Sequence, residues 1–465
     1  MLRVTGSSVR LCDGLSRREF LRVGGLGVAG LSLADLLRHP SRAEGAGRLG
    51  KARSCIVLFL MGGPAQHSTW DPKPDAPVEV RGEFGPIATA VPGLHIGELL
   101  PKTAGLAKHI CLLRAMRTGD NAHSSSGYYM MTGVPHQPMN RENANPGSPN
   151  NWPNFGSIIR RLDSTRRSIP AAIRLPHHIW NTDGSIWPGQ DAGFLGRGND
   201  PWLLRCEPAS PEFRVPEFSL PADVTSDRVG RRRSLLGQID RLGASLERSR
   251  ALDDYDGTTQ QAFDLLTSPK SRAAFRLSDE PAEVRRRYGP SQFGQSVLLA
   301  RRLVEAGVRL VQVNWFRAPD EPPDVPCWDS HAREAERLKT ALLPPFDQAY
   351  TALLEDLLDR GLLDETLVVC MSEFGRTPRI NARAGRDHWG SVFSIALAGG
   401  GVRGGTVHGA SDALGAEPVQ GVVEPPDLLA TMFNRLGVLP SNELHDPLGR
   451  PFPVARGKVI HEILA

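Results

Sequence analysis

Cysteine is scarce and unpatterned in this 465-residue chain: there are six, with no CxxC pair and no Cys/His spacing of a zinc module. A disulfide framework is thereby excluded. Charge of a single sign is also lacking. Lys and Arg number 55 against 51 Asp and Glu, a formal net charge of +4. Outside Arg231–Arg233 and Arg285–Arg287 the basic residues alternate with acids, so solvated helix faces are expected and nucleic-acid binding is not. Nowhere does an apolar run reach the ~20 residues of a membrane span. No Walker lysine follows a glycine-rich loop, and no internal repeat is visible. What is present is ordinary globular composition, 40% hydrophobic and 23% charged. The length suits one large α/β domain with insertions, or two domains.

The first 46 residues read as a leader rather than as part of the fold. Ser16-Arg17-Arg18-Glu19-Phe20-Leu21 is a twin-arginine motif, followed by the apolar stretch Val23 to Leu37. A basic segment followed by an apolar one is signal-peptide order, and paired arginines select the Tat export route. Asp35 interrupts the apolar stretch, which is short for a span, and Ser41 to Ala46 is a poor cleavage region. The expectation is a periplasmic protein, held at the membrane if the leader stays uncleaved, with no other membrane contact. Tat carries folded proteins, which suits one that acquires a metal first. An amphipathic helix of the mature chain is the competing reading of this stretch.

Residues 47–465 are expected to form one α/β domain, with a polar, Arg-rich helical insertion at about 217–279. SCIVLFLM (Ser54 to Met61) and TLVVCM (Thr366 to Met371) are continuous apolar runs too short for free helices, as buried strands of a parallel sheet read. Ligands of open α/β sheets sit beyond the carboxyl ends of such strands. Beyond the second run come Ser372, Glu373, Phe374, Gly375 and Arg376, then Asp387-His388-Trp389 after a short loop. A carboxylate, a guanidinium and an Asp-His pair meeting there make this the leading site candidate. After a further strand at Leu310 to Trp315 come Asp329-Ser330-His331, whose Asp and His can chelate one cation together or can cap a helix starting near Ala332. Gly62-Gly63-Pro64 follows the first strand, with His67 and Asp71 behind it; Asp71 before Pro72 also reads as a turn starter. The segment after His123 should open a helix, with Ser124, Ser125 and Ser126 as its N-terminal residues, and that N-terminus suits an anion. Pro-, Asn- and Trp-rich sequence from 137 to 194 reads as loops on the substrate side, where Trp152, Trp180 and Trp187 stack on sugars or simply pack.

Phe346 to Gly375, FDQAYTALLEDLLDRGLLDETLVVCMSEFG, resembles the helix-strand-loop of the sulfatase and alkaline phosphatase superfamily. The Gly-Gly-Pro, Ser-Glu-Phe-Gly-Arg and Gly-Arg-Asp-His-Trp segments resemble its DUF1501 branch. The resemblance implies a three-layer α/β/α sandwich of alkaline-phosphatase type with a mostly parallel sheet. It sets Glu373 where the superfamily has a metal-binding Asp, and Phe374 where it has His or Asn. Aligned on Thr132-Gly133, His123 takes the address of the sulfatase catalytic cysteine, while Ser126 and Gly127 fall on its Ser and Arg. No Cys/Ser-x-Pro-x-Arg string exists, Cys206-Glu-Pro-Ala-Ser210 failing at the last place.

The resulting expectation is an exported hydrolase of phosphate or sulfate esters using one or two divalent cations, Zn²⁺ or Mn²⁺, held by Glu373, Asp387, His388, Asp329, His331 and Asp71. Arg376 would grip the ester oxygens. His123 would serve as phosphoryl acceptor, ligand or general acid, or Ser124 would attack; a helix-capping His-Ser cluster without chemistry is the bland alternative. His408 resembles a late histidine ligand or is an exposed loop residue. A scaffold without turnover that binds an anionic glycan or a protein partner is the other function the missing motif allows. In either case the partner is an anionic small molecule or glycan ester.

Overall fold

The computed structural model describes residues 49–465 apart from 51, 164, 166, 182, 216–227, 229–230, 233, 236–263, 266–267, 316, 318–320 and 322–325. The expected leader and most of the expected insertion lie outside the described residues; the insertion's described end carries the short helix Pro269–Ala274.

Eight strands make the central sheet: β1 (Ser54–Phe59), β2 (Ile110–Met116), β3 (Ala172–Leu175), β4 (Trp202–Leu203), β5 (Leu310–Asn314), β6 (Thr366–Met371), β7 (Phe393–Ala398) and β8 (Thr406–His408), in the order β8-β2-β7-β6-β1-β5-β3-β4. Only β7 runs antiparallel to its neighbours β6 and β2. β1 lies at the centre, in register with β6 from Ser54↔Thr366 to Phe59↔Met371 and with β5 from Cys55↔Leu310 to Phe59↔Asn314. Every residue of β1, β5 and β6 is buried, which explains why the β1 and β6 runs lack polar alternation, while β5 buries Gln312 and Asn314.

The pleat sorts alternate β1 residues between two cores. Ile56 and Leu58 join a cluster with Val297, Leu298 and Leu299 of helix α3 (Gln292–Glu305) and Leu353, Leu354 and Leu357 of α4 (Leu343–Asp359). Cys55, Val57 and Phe59 face Met130 and Met131 of α1 (His123–Thr132), Ile158 and Ile159 of α2 (Phe155–Leu162), and Leu428 and Met432 of α5 (Pro425–Arg435). Helices thus cover both faces, giving the three-layer α/β/α sandwich that the sequence predicts. The strand cysteines Cys55, Cys111 and Cys370 are unbridged and buried, as packing residues of strands should be.

α1 is a helix its sequence does not favour by itself. Three serines and a glycine are poor interior residues, and hydrogen bonds from outside its span compensate: Asp120 Oδ1 accepts from Ala122 N (2.9 Å) and Ser125 Oγ (2.9 Å). Gly127 is needed for close approach, since a Cβ there would lie 2.4 Å from Trp187 Cζ3. His123 is the helix's first residue rather than a loop residue before it. Asp329-Ser330 caps nothing: the short helix Glu334–Arg337 begins from Arg333 without a side-chain cap, and Ser330 Oγ donates instead to Glu334.

Candidate functional site

Loops after β1, β2, β5 and β6 end at the same edge of the sheet, and their polar residues interlock. Gly62, with φ +113°, sits against the Trp328-Asp329 backbone so closely that any Cβ would overlap Asp329 N. Its amide donates to Glu373 Oε1 (2.8 Å). Glu373 is fully buried; Oε1 also meets His123 Nδ1 (2.8 Å), and Oε2 accepts from Ser372 Oγ (2.8 Å). Ser126 Oγ donates to the Glu373 carbonyl (2.6 Å), tying α1 to the end of β6.

His123 is bracketed by carboxylates. Nδ1 faces Glu373 and Nε2 faces Asp329 Oδ2 at 3.2 Å. Both ring nitrogens therefore donate, and the ring is an imidazolium. Burial alone would lower its pKa, but Asp329 and Glu373 outweigh burial and hold it at about 10. Asp329 is likewise pushed up by burial but kept far below the usual carboxylate range by Arg376 and His123.

On the other side of Asp329 two more histidines converge. His331 Nε2 is 3.0 Å and His388 Nε2 3.2 Å from Asp329 Oδ1, and the two nitrogens are 2.9 Å apart. Behind them, His331 Nδ1 contacts Asp387 Oδ1 (2.9 Å) and His388 Nδ1 contacts the Asn121 carbonyl (2.7 Å). Those partners only accept, so both Nδ1 atoms carry hydrogen and both Nε2 atoms point a lone pair at Asp329 Oδ1. Arg376 already donates to Asp329 Oδ1, but the two Nε2 atoms, 2.9 Å apart, repel unless a proton or a cation lies between them. Hydrogen bonding to Asp329 raises the pKa of His331, while burial lowers that of His388 to about 4. The arrangement also fits a metal, with one carboxylate and two imidazoles as donors and each imidazole fixed from behind by an acceptor.

The expected site residues divide accordingly. His123, Asp329, His331, Glu373, Asp387 and His388 come together. Glu373 and Asp387 stand behind histidines, facing Nδ1 of His123 and of His331. Arg376 is at the site, but its guanidinium is consumed by the carbonyls of Gly62, Gly63 (3.0 Å), Trp328 and Arg386 (3.0 Å) and by Asp329. Wholly buried, it staples loops together and grips no ester oxygen. Ser124 is turned away, its hydroxyl donating to Arg141 O (3.0 Å) and accepting from Ala144 N (2.9 Å), so it is not placed to attack. Asp71 lies elsewhere, paired with Lys73 (3.0 Å), Arg114 (3.5 Å) and Ser411, because the turn before Pro72 directs it under the sheet's β2 side. His67 contacts Leu414 O, and His408 ends the edge strand beside Gly421.

Three residues went unsuspected. Asn121 orients His388 through its carbonyl, a role any residue type can fill and none advertises. Glu142, from the loop after α1, accepts from the His123 amide (2.7 Å), and its carboxylate groups with His123 and His388. Trp187 tilts beside His123, ring centroids 5.9 Å apart, and was weighed only for sugar stacking or packing.

Structural relatives share little sequence. PsFucS1 sulfatase from Pseudoalteromonas sp. is 14% identical, with 96% of this chain and 76% of that one covered, at a TM-score of 0.42. Ps i-CgsB in complex with k-i-k-neocarrahexaose is 13% identical over 83% and 72%, TM-score 0.41. The phosphonate monoester hydrolase SpPMH from Silicibacter pomeroyi is 13% identical over 88% and 76%, TM-score 0.38. Comparison with curated proteins gave no match. A family model described as "Protein of unknown function (DUF1501)" matches residues 52–464, nearly the whole described chain, and the protein belongs to that family.

Proposed function

We propose that the protein is an exported, metal-dependent hydrolase of phosphate or sulfate esters. The observation that carries the reading is the meeting of Asp329 Oδ1, His331 Nε2 and His388 Nε2 with their lone pairs turned inward. These three residues would hold the cation, Zn²⁺ or Mn²⁺ by donor type. Bound there, it would polarise an ester oxygen and lower the pKa of a water. Asp387 and the Asn121 carbonyl keep the ligating nitrogens deprotonated and aimed. His123, charged and only 15% exposed in its side chain, holds its protons at both nitrogens and gives Asp329 a second partner. Arg376 fixes Asp329 from below. Glu373, which accepts from Gly62 N, aligns the imidazolium. An anionic ester, including one carried on a glycan, is the substrate class such a cluster serves.

Purified protein analysed for metal after mild loading with Zn²⁺ or Mn²⁺, then assayed on nitrophenyl phosphate and nitrophenyl sulfate, tests this. We expect about one ion per chain and turnover of at least one ester, both lost in His331→Ala. A chain that stays metal-free after loading and inert on both esters would leave an anion-binding scaffold as the function.

A further inference from the structure

Trp187, whose ring centroid lies 5.9 Å from that of His123, also lines a cleft of about 560 Å³. Its wall is built rather than incidental. Trp187 is 3% exposed, with its Cε3–Cζ3 edge toward Gly127 and the pyrrole edge turned the other way; Nε1 is buried without a partner. His178, also in the wall, has a buried Nδ1 without a partner. Gln190 props the wall, donating to the carbonyls of Ile179 (2.9 Å) and Trp187 (3.1 Å). Asp191 and Asp200 each spend one oxygen on a backbone amide, of Gly193 (3.0 Å) and Ala192 (2.7 Å). Arg160 of α2, Arg197 and Trp202 also line it.

The chemistry of this wall selects among ligands. The half-buried Trp202 indole offers an apolar face, which suits a ring with a C–H face. Two carboxylates, of Asp191 and Asp200, and two guanidiniums, of Arg160 and Arg197, offer acceptors and donors together. An alkyl or aryl group would leave those polar groups unsatisfied on desolvation, and a polyanion would meet both carboxylates. A neutral ring bearing several hydroxyls satisfies both sets. We propose that this cleft binds the sugar ring of the substrate, with the ester group reaching past Trp187 to the histidines; the last clause rests on the hydrolase reading, the sugar binding does not.

The full chain is examined by saturation-transfer NMR with methyl β-galactoside, methyl α-fucoside and methyl β-glucoside, none of which carries an ester. At least one glycoside receives saturation, and Arg160→Ala and Asp191→Asn each weaken its binding at least about tenfold. Asp191→Asn keeps the bond to Gly193 N, so its folding is not at issue, and circular dichroism checks Arg160→Ala. No saturation of any glycoside, or binding indifferent to both folded variants, overturns the cleft. Hydrolysis of nitrophenyl esters alongside absent glycoside binding would fail the cleft alone. Glycoside binding in a chain that loads no metal and cleaves no ester would keep the cleft and fail the hydrolase.

Discussion

The Nδ1 atoms of His331 and His388 are held from behind, one by a carboxylate and one by a backbone carbonyl, and that decides which nitrogen faces Asp329. The two supports differ in strength: Asp387 adds negative charge to its imidazole, whereas the Asn121 carbonyl adds only a dipole. Asp387→Asn keeps the shape and removes the charge. We expect it to weaken Zn²⁺ binding about 10- to 100-fold, measured by competition with a chromophoric chelator, with unfolding midpoint unchanged because Asp387 is largely exposed (58%). Unchanged affinity would mean that His331 needs no charged support. Six of the residues that the structure brings together were legible because their types are chemically pointed and follow strands. Asn121 and Glu142 were not, since one acts through its backbone and the other reaches in from a loop. The roles given to Arg376 and Ser124 failed for a related reason. A residue's type says what it can bind, but only the neighbouring carbonyls, 47 or more positions away for most of Arg376's contacts, say that it is already satisfied.

At the scale of elements, β1 and β6 announced themselves by apolar runs, and α3 and α4 by amphipathic repeats leading into β5 and β6. α1 did not follow from propensity, since contacts beyond its span stabilise it. What joins α3 to α4 was also invisible: Arg301, fully buried on α3, pairs with Asp356 on α4 (2.8 Å) and with Glu280 (2.8 Å), and Tyr288 donates to Asp356 (3.0 Å). Burial pushes both carboxyls up, but Arg301 with Arg302 holds Glu280, and Arg360 with Arg301 holds Asp356, below their usual values. Carboxyls depressed in the folded state add stability that is complete above their unfolded pKa, about 4, and is lost as pH falls through the folded values. The urea midpoint should therefore be flat from about pH 7 to 5 and drop below about pH 4. In Arg301→Met, Glu280 keeps Arg302 and Asp356 keeps Arg360, so the cost at neutral pH should fall below the about 3–5 kcal/mol of leaving a buried charge unpaired, and the acid drop should shrink. A parallel fall of both proteins with pH would assign acid sensitivity elsewhere.

For the whole molecule, none of the described helices is long and apolar enough to cross a membrane; export by the expected leader is our proposal. Tat recognition needs the arginine pair. Replacing Arg17 and Arg18 by Lys should leave the full-length chain in the cytoplasm, detected by fractionation and immunoblot; undiminished periplasmic protein would remove the Tat assignment. The same leader suits a protein that must be finished before it travels. Here the register of the sheet has a consequence for synthesis. β1 is made first, yet its partners begin at Leu310 and Thr366. At roughly 5–20 residues per second, its SCIVLF edge stays unpaired for some 15–60 s outside the ribosome. Through that interval the nascent chain carries a sticky, partnerless β-segment, and its yield in a cell should hinge on holdase chaperones more than on the stability of the finished sheet.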